Sequence, residues 1–141
     1  MPFSDSAPCP CGRQNARRQP LSLGDCCGRY IDHWANVPAP DAESLMRSRY
    51  SAFTQERADY LLATWAAEHR PAALDFDPGA RWLGLEVRAQ QATGEHRAEV
   101  EFVARWRVAG RAVRLHERSR FERAADAQGV PRWWYVDGDQ I

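Results

Sequence analysis

The 141-residue chain contains no lysine: all 19 of its basic side chains are arginine, and 19 aspartate and glutamate residues balance them. Nucleic-acid-binding domains usually carry a net basic charge or a basic stripe. Here the signs alternate along the chain and the formal net charge is +0. The arginine content therefore reflects a biased composition, and we do not expect nucleic acid as a partner.

Long hydrophobic runs are also missing. Nowhere do roughly eighteen apolar residues follow one another, which excludes a membrane-spanning helix. Residues 1–8 contain neither a long apolar run nor a basic leader, so we expect no secretory signal, no membrane contact and a cytoplasmic location. In that reducing compartment, closely spaced cysteines are more often metal ligands than disulfides.

Cysteine is scarce, and it occurs only as two tight pairs near the N-terminus, formed by Cys9, Cys11, Cys26 and Cys27. Structural zinc takes four thiolate or imidazole ligands in a tetrahedron. Gly12 and Gly28 each follow a pair, and glycine permits sharp turns that bring backbone amides towards sulfur. The pattern predicts a structural Zn²⁺ ion held by the four cysteines.

Two other roles for the cysteines are open. One cysteine of the first pair could form a disulfide with one of the second, or the thiols could be a redox pair, although bridges within a pair would be strained. His33 is the one histidine near the pairs, and we expect it at the surface. Four arginines are close enough in sequence to offset the negative charge of a tetrathiolate site: Arg13, Arg17, Arg18 and Arg29.

Two helices follow a short proline-containing linker at 36–40. Asp41 has the character of a helix N-cap, and the helix should run to about Arg57. Asp59 should cap a second helix, which must end before Pro71. On the first helix, a stripe of residues at 3.6 spacing contains Tyr50, and Arg49 projects from the middle of that stripe.

The period then changes to two. Four alternating segments predict strands that begin near Leu83, Ala98, Val113 and Trp133, with glycines in the gaps between them. Helices followed by strands indicate an α+β domain with an antiparallel meander that curls around the helices. We predict a metal-binding segment at 1–35 and a larger domain at 41–141.

Alternation on the third strand places Glu117 and Ser119 on the face that also carries its apolar residues. A buried arginine and a buried glutamate are each costly alone, so we expect an Arg49–Glu117 ion pair inside the domain, hydrogen-bonded by Tyr50 or Ser119. As a structural clasp, this pair joins helix to sheet. As an active site, Glu117 is the general base and Arg49 the anion anchor.

Other polar and aromatic residues are expected to have structural roles. His116 should be solvated on the opposite face from Glu117, and Asp137 with Asp139 should form a C-terminal turn. Among the tryptophans, Trp82, Trp106 and Trp134 should fill the core, while Trp133 points the other way.

Two sets of motifs carry a family resemblance. Cys-Pro-Cys-Gly at 9–12 and Cys-Cys-Gly-Arg-Tyr at 26–30 resemble the SEC-C zinc motif of the preprotein translocase ATPase tail. Further segments resemble the uncharacterised YchJ (UPF0225) family, at 46–53, 59–61, 64–65, 81–85, 117–121 and 134–138. The resemblance implies a SEC-C knuckle followed by an NTF2-like (cystatin-like) domain, with Cys9, Cys11, Cys26 and Cys27 as zinc ligands.

Two functional classes follow from this resemblance and these residues. The first is a binding or adaptor protein whose zinc knuckle docks a protein partner and whose NTF2-like domain binds a ligand or forms a homodimer. The second is a small enzyme that works in the cavity of that domain. The candidate ligand-binding residues are Arg49, Tyr50, Glu117 and Ser119, and Glu117 and Arg49 are the catalytic candidates.

Overall fold

The computed structural model describes residues 4–141. Three helices precede four strands, as the sequence predicts for an α+β fold: α1 (Gly28–Ile31), α2 (Ala42–Thr54), α3 (Ala58–Ala63), β1 (Arg81–Gly94), β2 (Arg97–Val108), β3 (Arg111–Ala125) and β4 (Pro131–Gln140). In the part of the chain that the structure covers, no helix is long and apolar enough to cross a membrane.

The four strands form one antiparallel sheet in the order β1-β2-β3-β4, which confirms the predicted meander. The pairing shifts at three points between β1 and β2 and at one point between β3 and β4. Such bulges bend a strand and increase its local twist. The sheet therefore has an inner face on which α2 lies.

Helix α2 begins where the sequence predicts, because the Asp41 carboxylate accepts a 2.7 Å hydrogen bond from the Ser44 amide. It ends at Thr54, three residues before the predicted end at Arg57. The prediction that Asp59 caps α3 is wrong. That helix already begins at Ala58, so Asp59 lies in its first turn, where a negative charge still favours the helix dipole.

The core lies between α2 and the inner face of the sheet. On β2, alternate residues Val100, Phe102 and Ala104 are buried, as the period of two predicts. The Trp82 and Trp106 rings from neighbouring strands pack with their centroids 5.1 Å apart. The position of α2, the alternation of buried residues on β2 and the packing of the two tryptophans therefore identify the same covered face of the sheet.

Two predictions about side-chain direction are wrong, and a bulge explains the one at Leu83. Leu83 is 51% exposed because the pairing shifts between Trp82 and Gly84. On β4, Trp133 rather than Trp134 packs against the core, and Trp134 donates instead to the Ala124 carbonyl. One extra residue in a strand reverses the face of everything beyond it.

The N-terminal segment packs on the rest of the protein. Its cysteines share a continuous buried cluster with Leu45 and Met46 of α2. Arg132 of β4 donates to the carbonyls of Trp34 and Ala35, at 2.5 and 2.9 Å, and so holds the residues just before the linker. Contacts thus cross between the predicted segments 1–35 and 41–141, and the boundary between them stays a prediction.

Candidate metal centre and cavity

The four cysteines come together at one buried point, although Cys11 and Cys26 are fifteen positions apart in the sequence. All four sulfur atoms lie within 4.8 Å of one another, and all four residues are buried. The Cys11 and Cys26 sulfurs are 3.6 Å apart, and those of Cys26 and Cys27 are 3.9 Å apart. All four are free thiols.

These spacings fit a tetrahedral metal ion. Zinc binds thiolate at about 2.3 Å, so two sulfurs of a regular tetrahedron lie about 3.8 Å apart. The two short sulfur–sulfur distances fall on either side of that value. They are far longer than the roughly 2.05 Å of a disulfide bond. Cys9, Cys11, Cys26 and Cys27 are therefore a donor set that could hold one metal ion.

Turns hold the cysteines in place. Gly12 has a φ of 76°, a left-handed conformation that glycine adopts without strain. At Gly28, a Cβ would lie 2.7 Å from the Leu23 carbonyl oxygen, so only glycine fits there. Their amides do not point at sulfur as predicted: Gly12 donates to the Cys9 carbonyl and Gly28 to the Leu23 carbonyl. The glycines act by shaping the chain.

The pKa values of the four thiols depend on one another through the hydrogen bonds between their sulfur atoms. Hydrogen bonds from Cys11 and from the second pair lower the pKa of Cys9, and bonds from Cys26 and Cys27 lower the pKa of Cys11 to about 7. The pKa of Cys27 is raised, chiefly by its hydrogen bond with Cys11. One thiolate is thus readily available, whereas full deprotonation of the site needs a cation to take the place of the protons.

Charge compensation comes from α2 as well as from the segment itself. Arg47 donates a 2.9 Å hydrogen bond to the Cys11 carbonyl, and Ser51 Oγ lies 3.5 Å from the Cys9 sulfur. Arg29 binds the Cys26 carbonyl, as its position in the sequence suggests, and Arg13 reaches Glu43 of α2. Local spacing does not predict that Arg47 faces the cysteines, because its partner is 36 residues away.

The remaining residues near the cysteines stay at the surface. Arg17, Arg18 and His33 are exposed, which confirms the prediction that His33 is a surface residue. Arg17 and Arg18 lie in a loop whose backbone amides at 17 and 19 are bound by the Asn15 side chain. The loop faces outward and contributes no ligand to the cysteine site.

A second candidate site is a cavity of about 230 Å³ between α2 and the sheet. Its walls are mostly aromatic and aliphatic. Arg49, Glu117 and Ser119 are its polar residues besides the tyrosines, and Tyr50 lines it as well. All four residues predicted for ligand binding therefore meet at one cavity. The apolar lining is formed by Met46, Phe53, Trp65, Trp82, Phe102, Ala104, Trp106, Leu115 and Phe121, with Tyr135 beside them.

Arg49 is held in the cavity floor by backbone and aromatic groups. Its Nη1 atom donates to the Leu61 carbonyl at 2.7 Å and to Thr64 Oγ1 at 2.8 Å. The guanidinium lies 4.4 Å from the centroid of the Tyr135 ring and 5.1 Å from that of Trp65. Burial lowers the pKa of Arg49 to about 10, so the side chain remains a cation at neutral pH.

The predicted Arg49–Glu117 ion pair is not formed. Both residues line the cavity, but no nitrogen of Arg49 lies within 4.0 Å of a Glu117 oxygen. Glu117 instead accepts a 2.5 Å hydrogen bond from Ser119, which confirms Ser119 as its partner. Tyr50 does not join them, because its ring packs edge-on against Trp82. The two charges face one cavity without touching.

Sequence reasoning missed the residues that position these two charges. Residues 64–66 pair with β4 through bonds from Ala66 to the Tyr135 carbonyl and from Tyr135 to the Thr64 carbonyl. This pairing brings Trp65 and Tyr135 together around Arg49. A Cβ on Gly138 would lie 2.6 Å from Glu117 Oε2, so the backbone of β4 closes on the carboxylate. These are contacts between distant segments, which local spacing does not reveal.

The outer face of the sheet carries ion pairs. His116 is not simply solvated as predicted: it donates a 2.8 Å bond to Glu101 and is only partly exposed. Asp137 and Asp139 do not form a turn, because β4 continues to Gln140 and both carboxylates bind Arg120. These groups form cross-strand pairs and lie away from the cavity.

Fold and site together define a protein with a four-cysteine knuckle ahead of an NTF2-like domain. The family description "YchJ, middle NTF2-like domain" matches residues 41–138. Among curated relatives, a UPF0225 protein of Polaromonas sp. (strain JS666 / ATCC BAA-500) is 62% identical over 134 residues, covering 94% of this chain and 93% of its own. The chain therefore belongs to the YchJ (UPF0225) family.

Two solved structures are similar over almost the whole chain. A sec-c motif containing protein from Psychrobacter arcticus has a TM-score of 0.82 and 32% identity, with 97% of this chain and 84% of that one covered. RPA3114, a SEC-C motif containing protein from Rhodopseudomonas palustris, has a TM-score of 0.74 and 30% identity, with 96% and 99% covered. These likenesses confirm the SEC-C and NTF2-like resemblance expected from the motifs.

Proposed function

We propose that this protein binds a small molecule in the cavity of its NTF2-like domain and that its four-cysteine knuckle is a structural element that supports α2. The observation that carries the proposal is a pair of opposite charges, Arg49 and Glu117, that face one aromatic cavity without neutralising each other. No described group of opposite charge lies within 4.0 Å of either side chain, and charged groups that line a cleft without such a partner are candidates for contact with a ligand.

The dimensions and chemistry of the cavity support this role. A volume of about 230 Å³ lies just below the roughly 300–1,000 Å³ of pockets that hold drug-sized ligands. Apolar walls with a few convergent polar groups are the usual composition of a ligand site. Ala104 contributes only a methyl group to the wall and is 3% exposed, so the space beside it is not filled by its side chain.

Filling the cavity tests the proposal. We would follow amide NMR spectra of the protein during titration with indole, a small aromatic probe. Ala104→Leu places extra atoms in the cavity and should abolish the shifts seen for wild type. Ala112→Leu, on the exposed part of β3, is the matched control and should bind as wild type does. Equal shifts in both variants, or none in wild type, would contradict cavity binding.

For the metal, we propose zinc in a structural role. The support is a donor set of four thiols whose sulfurs fit a tetrahedron and whose residues are all buried, which leaves no open position for a substrate. Native mass spectrometry and elemental analysis of reduced protein should find one zinc ion per chain. Protein that stays metal-free after supplementation with zinc would contradict this assignment.

An enzyme acting in the cavity is the alternative, and Glu117 favours it. Its carboxylate has one oxygen bound by Ser119 and a second without a protein partner in the described chain, so it could accept a proton from a bound molecule. Mass spectrometry of a bound ligand before and after incubation separates the two roles. A chemically changed ligand, lost in Glu117→Gln, would establish catalysis.

Docking of a protein partner through the knuckle, and formation of a homodimer, stay predictions. The loop at 14–20 is exposed and is the candidate surface for docking, because the cysteines themselves are buried. Substitution of Arg17 by glutamate should weaken binding of such a partner while the metal content stays unchanged. Light scattering at several concentrations tests the homodimer.

A further inference from the structure

Resting on the proposed function, we infer a specific ligand class: a neutral, planar aromatic molecule that carries a hydrogen-bond acceptor and a hydrogen-bond donor side by side, as in an aromatic primary amide. The acceptor would meet Arg49 and the donor would meet Glu117. The inference follows from which atoms of these two side chains are already used by the protein and which are left over.

Arg49 has unused donors. Its Nη1 atom is saturated by the Leu61 carbonyl and Thr64 Oγ1. In the described part of the chain, neither Nε nor Nη2 donates to a protein acceptor. Because the bonds to Leu61 and Thr64 and the flanking rings of Trp65 and Tyr135 fix the guanidinium plane, the remaining N–H groups have a fixed direction. A ligand atom that meets them must therefore be a hydrogen-bond acceptor.

Glu117 has an unused acceptor. Ser119 donates to Oε2, and Oε1 receives no hydrogen bond from any described residue. The Glu117 side chain packs against the backbone at Gly138, where an added Cβ would come within 2.6 Å of Oε2. A ligand group that approaches Oε1 must therefore donate a proton. Ser119 already donates its hydroxyl hydrogen to this carboxylate, so Glu117 acts as an acceptor on that side as well.

The charge balance selects a neutral ligand. One cation and one anion line the cavity, and they are more than 4.0 Å apart. A carboxylate ligand would bind Arg49 but face the anionic Glu117, whereas an amine would bind Glu117 but face Arg49. Like charges in a poorly hydrated site repel strongly. A primary amide supplies an acceptor to one side and a donor to the other with no net charge.

The walls select a flat ring. Trp82 and Trp106 pack with centroids 5.1 Å apart and an angle of 40° between their planes, and Tyr50 meets Trp82 edge-on. These rings form the apolar part of the cavity that the two charged side chains also line. Aromatic ligands gain both area burial and ring–ring interactions in such surroundings. The volume of about 230 Å³ limits the ligand to a ring with a small substituent.

A set of four probes of nearly equal size tests the inference: benzamide, benzoate, benzylamine and acetophenone. Amide NMR titration of the full chain should give the lowest dissociation constant for benzamide. Each of the others loses one hydrogen bond or gains a like-charge contact, so we expect each to bind at least about tenfold more weakly. Equal or tighter binding of any of the three would overturn the inference but leave cavity binding intact.

Glu117→Gln provides a second, independent readout. The glutamine amide can accept from benzamide or donate to benzoate, so benzoate should gain about tenfold in affinity while benzamide changes little. Glu95→Gln, in the exposed turn after β1, is the matched control and should leave the order unchanged. An unchanged benzoate affinity in Glu117→Gln would overturn the inference. Failure of all four probes, and of indole, would overturn cavity binding itself.

Discussion

Arg47 and Arg49 lie two residues apart on α2 and serve the two sites of the protein from nearly opposite sides of the helix. A helix turns by about 100° per residue, so the two side chains diverge by about 200°. Arg47 binds the Cys11 carbonyl, and Arg49 lies in the cavity floor. One turn of helix thus connects the cysteine centre with the cavity, so we expect a structural change at either site to affect the other through α2.

Arg47→Met should weaken this connection while keeping a side chain of similar length. It removes the bonds from Arg47 to the Cys11 carbonyl and to Glu43, at 2.9 and 2.8 Å. Hydrogen bonds that involve a charged group contribute about 1.5–3 kcal/mol, so the free energy of unfolding should fall by about that amount. Urea unfolding of metal-loaded protein measures it. Arg17→Met, in the exposed loop, is the control, and equal losses in both variants would argue against a special role for Arg47.

Metal removal should loosen a defined part of the molecule. The cysteines belong to the same buried cluster as Leu45 and Met46, and Cys9 lies next to Ser51. Chelation should therefore increase amide hydrogen exchange in residues 9–31 and on α2, while β3 stays protected within the sheet. Mass spectrometry of exchanged peptides locates the change.

A variant pair separates loss of metal from an effect of the chelator itself. Cys26→Ser should reproduce the exchange pattern of the chelated protein without any chelator present. His33→Ala, an exposed substitution in the same segment, should behave as wild type. Chelated protein with exchange unchanged throughout residues 9–31 would show that the segment does not depend on a metal for its order.

The sequence predicted which polar residues line the cavity but not which of them contact one another. Helical spacing placed Arg49 inward, and alternation placed Glu117 and Ser119 on the covered face, because both periods are local properties of the chain. Whether Arg49 and Glu117 touch depends on which other groups each side chain meets in the folded protein. Arg49 binds the Leu61 carbonyl and Thr64, and Glu117 binds Ser119, so the expected ion pair was wrong.

The convergence of the four cysteines was predictable for a different reason. Four thiols in two tight pairs within one small segment are typical of a metal site, so their convergence on one buried point could be predicted from residue identity and spacing. The packing of that segment could not, since Arg47 and Ser51 meet Cys11 and Cys9 across more than thirty residues. The residue types were informative, whereas the docking of the segment on α2 is a tertiary property.

Stability should depend on pH through Asp126. This carboxylate accepts a 2.6 Å bond from Arg132, which also holds the Trp34 and Ala35 carbonyls. Arg132, and then the Val130 amide, lower the pKa of Asp126 below its usual 3.8. A carboxyl whose pKa is lower in the folded state stabilises the fold above its unfolded pKa, and that contribution is lost as the pH falls through the folded pKa.

Comparison with Asp126→Asn isolates that contribution. The urea midpoint of wild type should exceed that of the variant by a constant amount above about pH 5. The gap should begin to shrink near pH 4, around the unfolded pKa, and should close below the lowered pKa of the folded carboxyl. Acid also protonates the cysteine site, but it does so in both proteins, so the difference cancels this effect. Asp75→Asn, in an exposed loop, should show no such gap. A gap that persists in acid would contradict the assignment.

Gly138 and Glu117 should show strong coupling in a double-mutant cycle. Gly138→Ala places a Cβ 2.6 Å from Glu117 Oε2 and 2.8 Å from its Cδ, a clash that must displace the carboxylate or the strand. Overpacking of this kind costs about 1–3 kcal/mol of unfolding free energy. Glu117→Ala removes the obstacle, so Gly138→Ala should cost little in that background, whereas Glu117→Gln keeps the same shape and should give no relief. Gly79→Ala, at a glycine whose φ is likewise not positive and where a Cβ meets only Asp77 Oδ1 at 3.5 Å, is the matched control and should cost little. If Gly138→Ala were equally destabilising with and without the Glu117 side chain, the close approach of β4 to the carboxylate would not be what fixes Glu117 at the cavity.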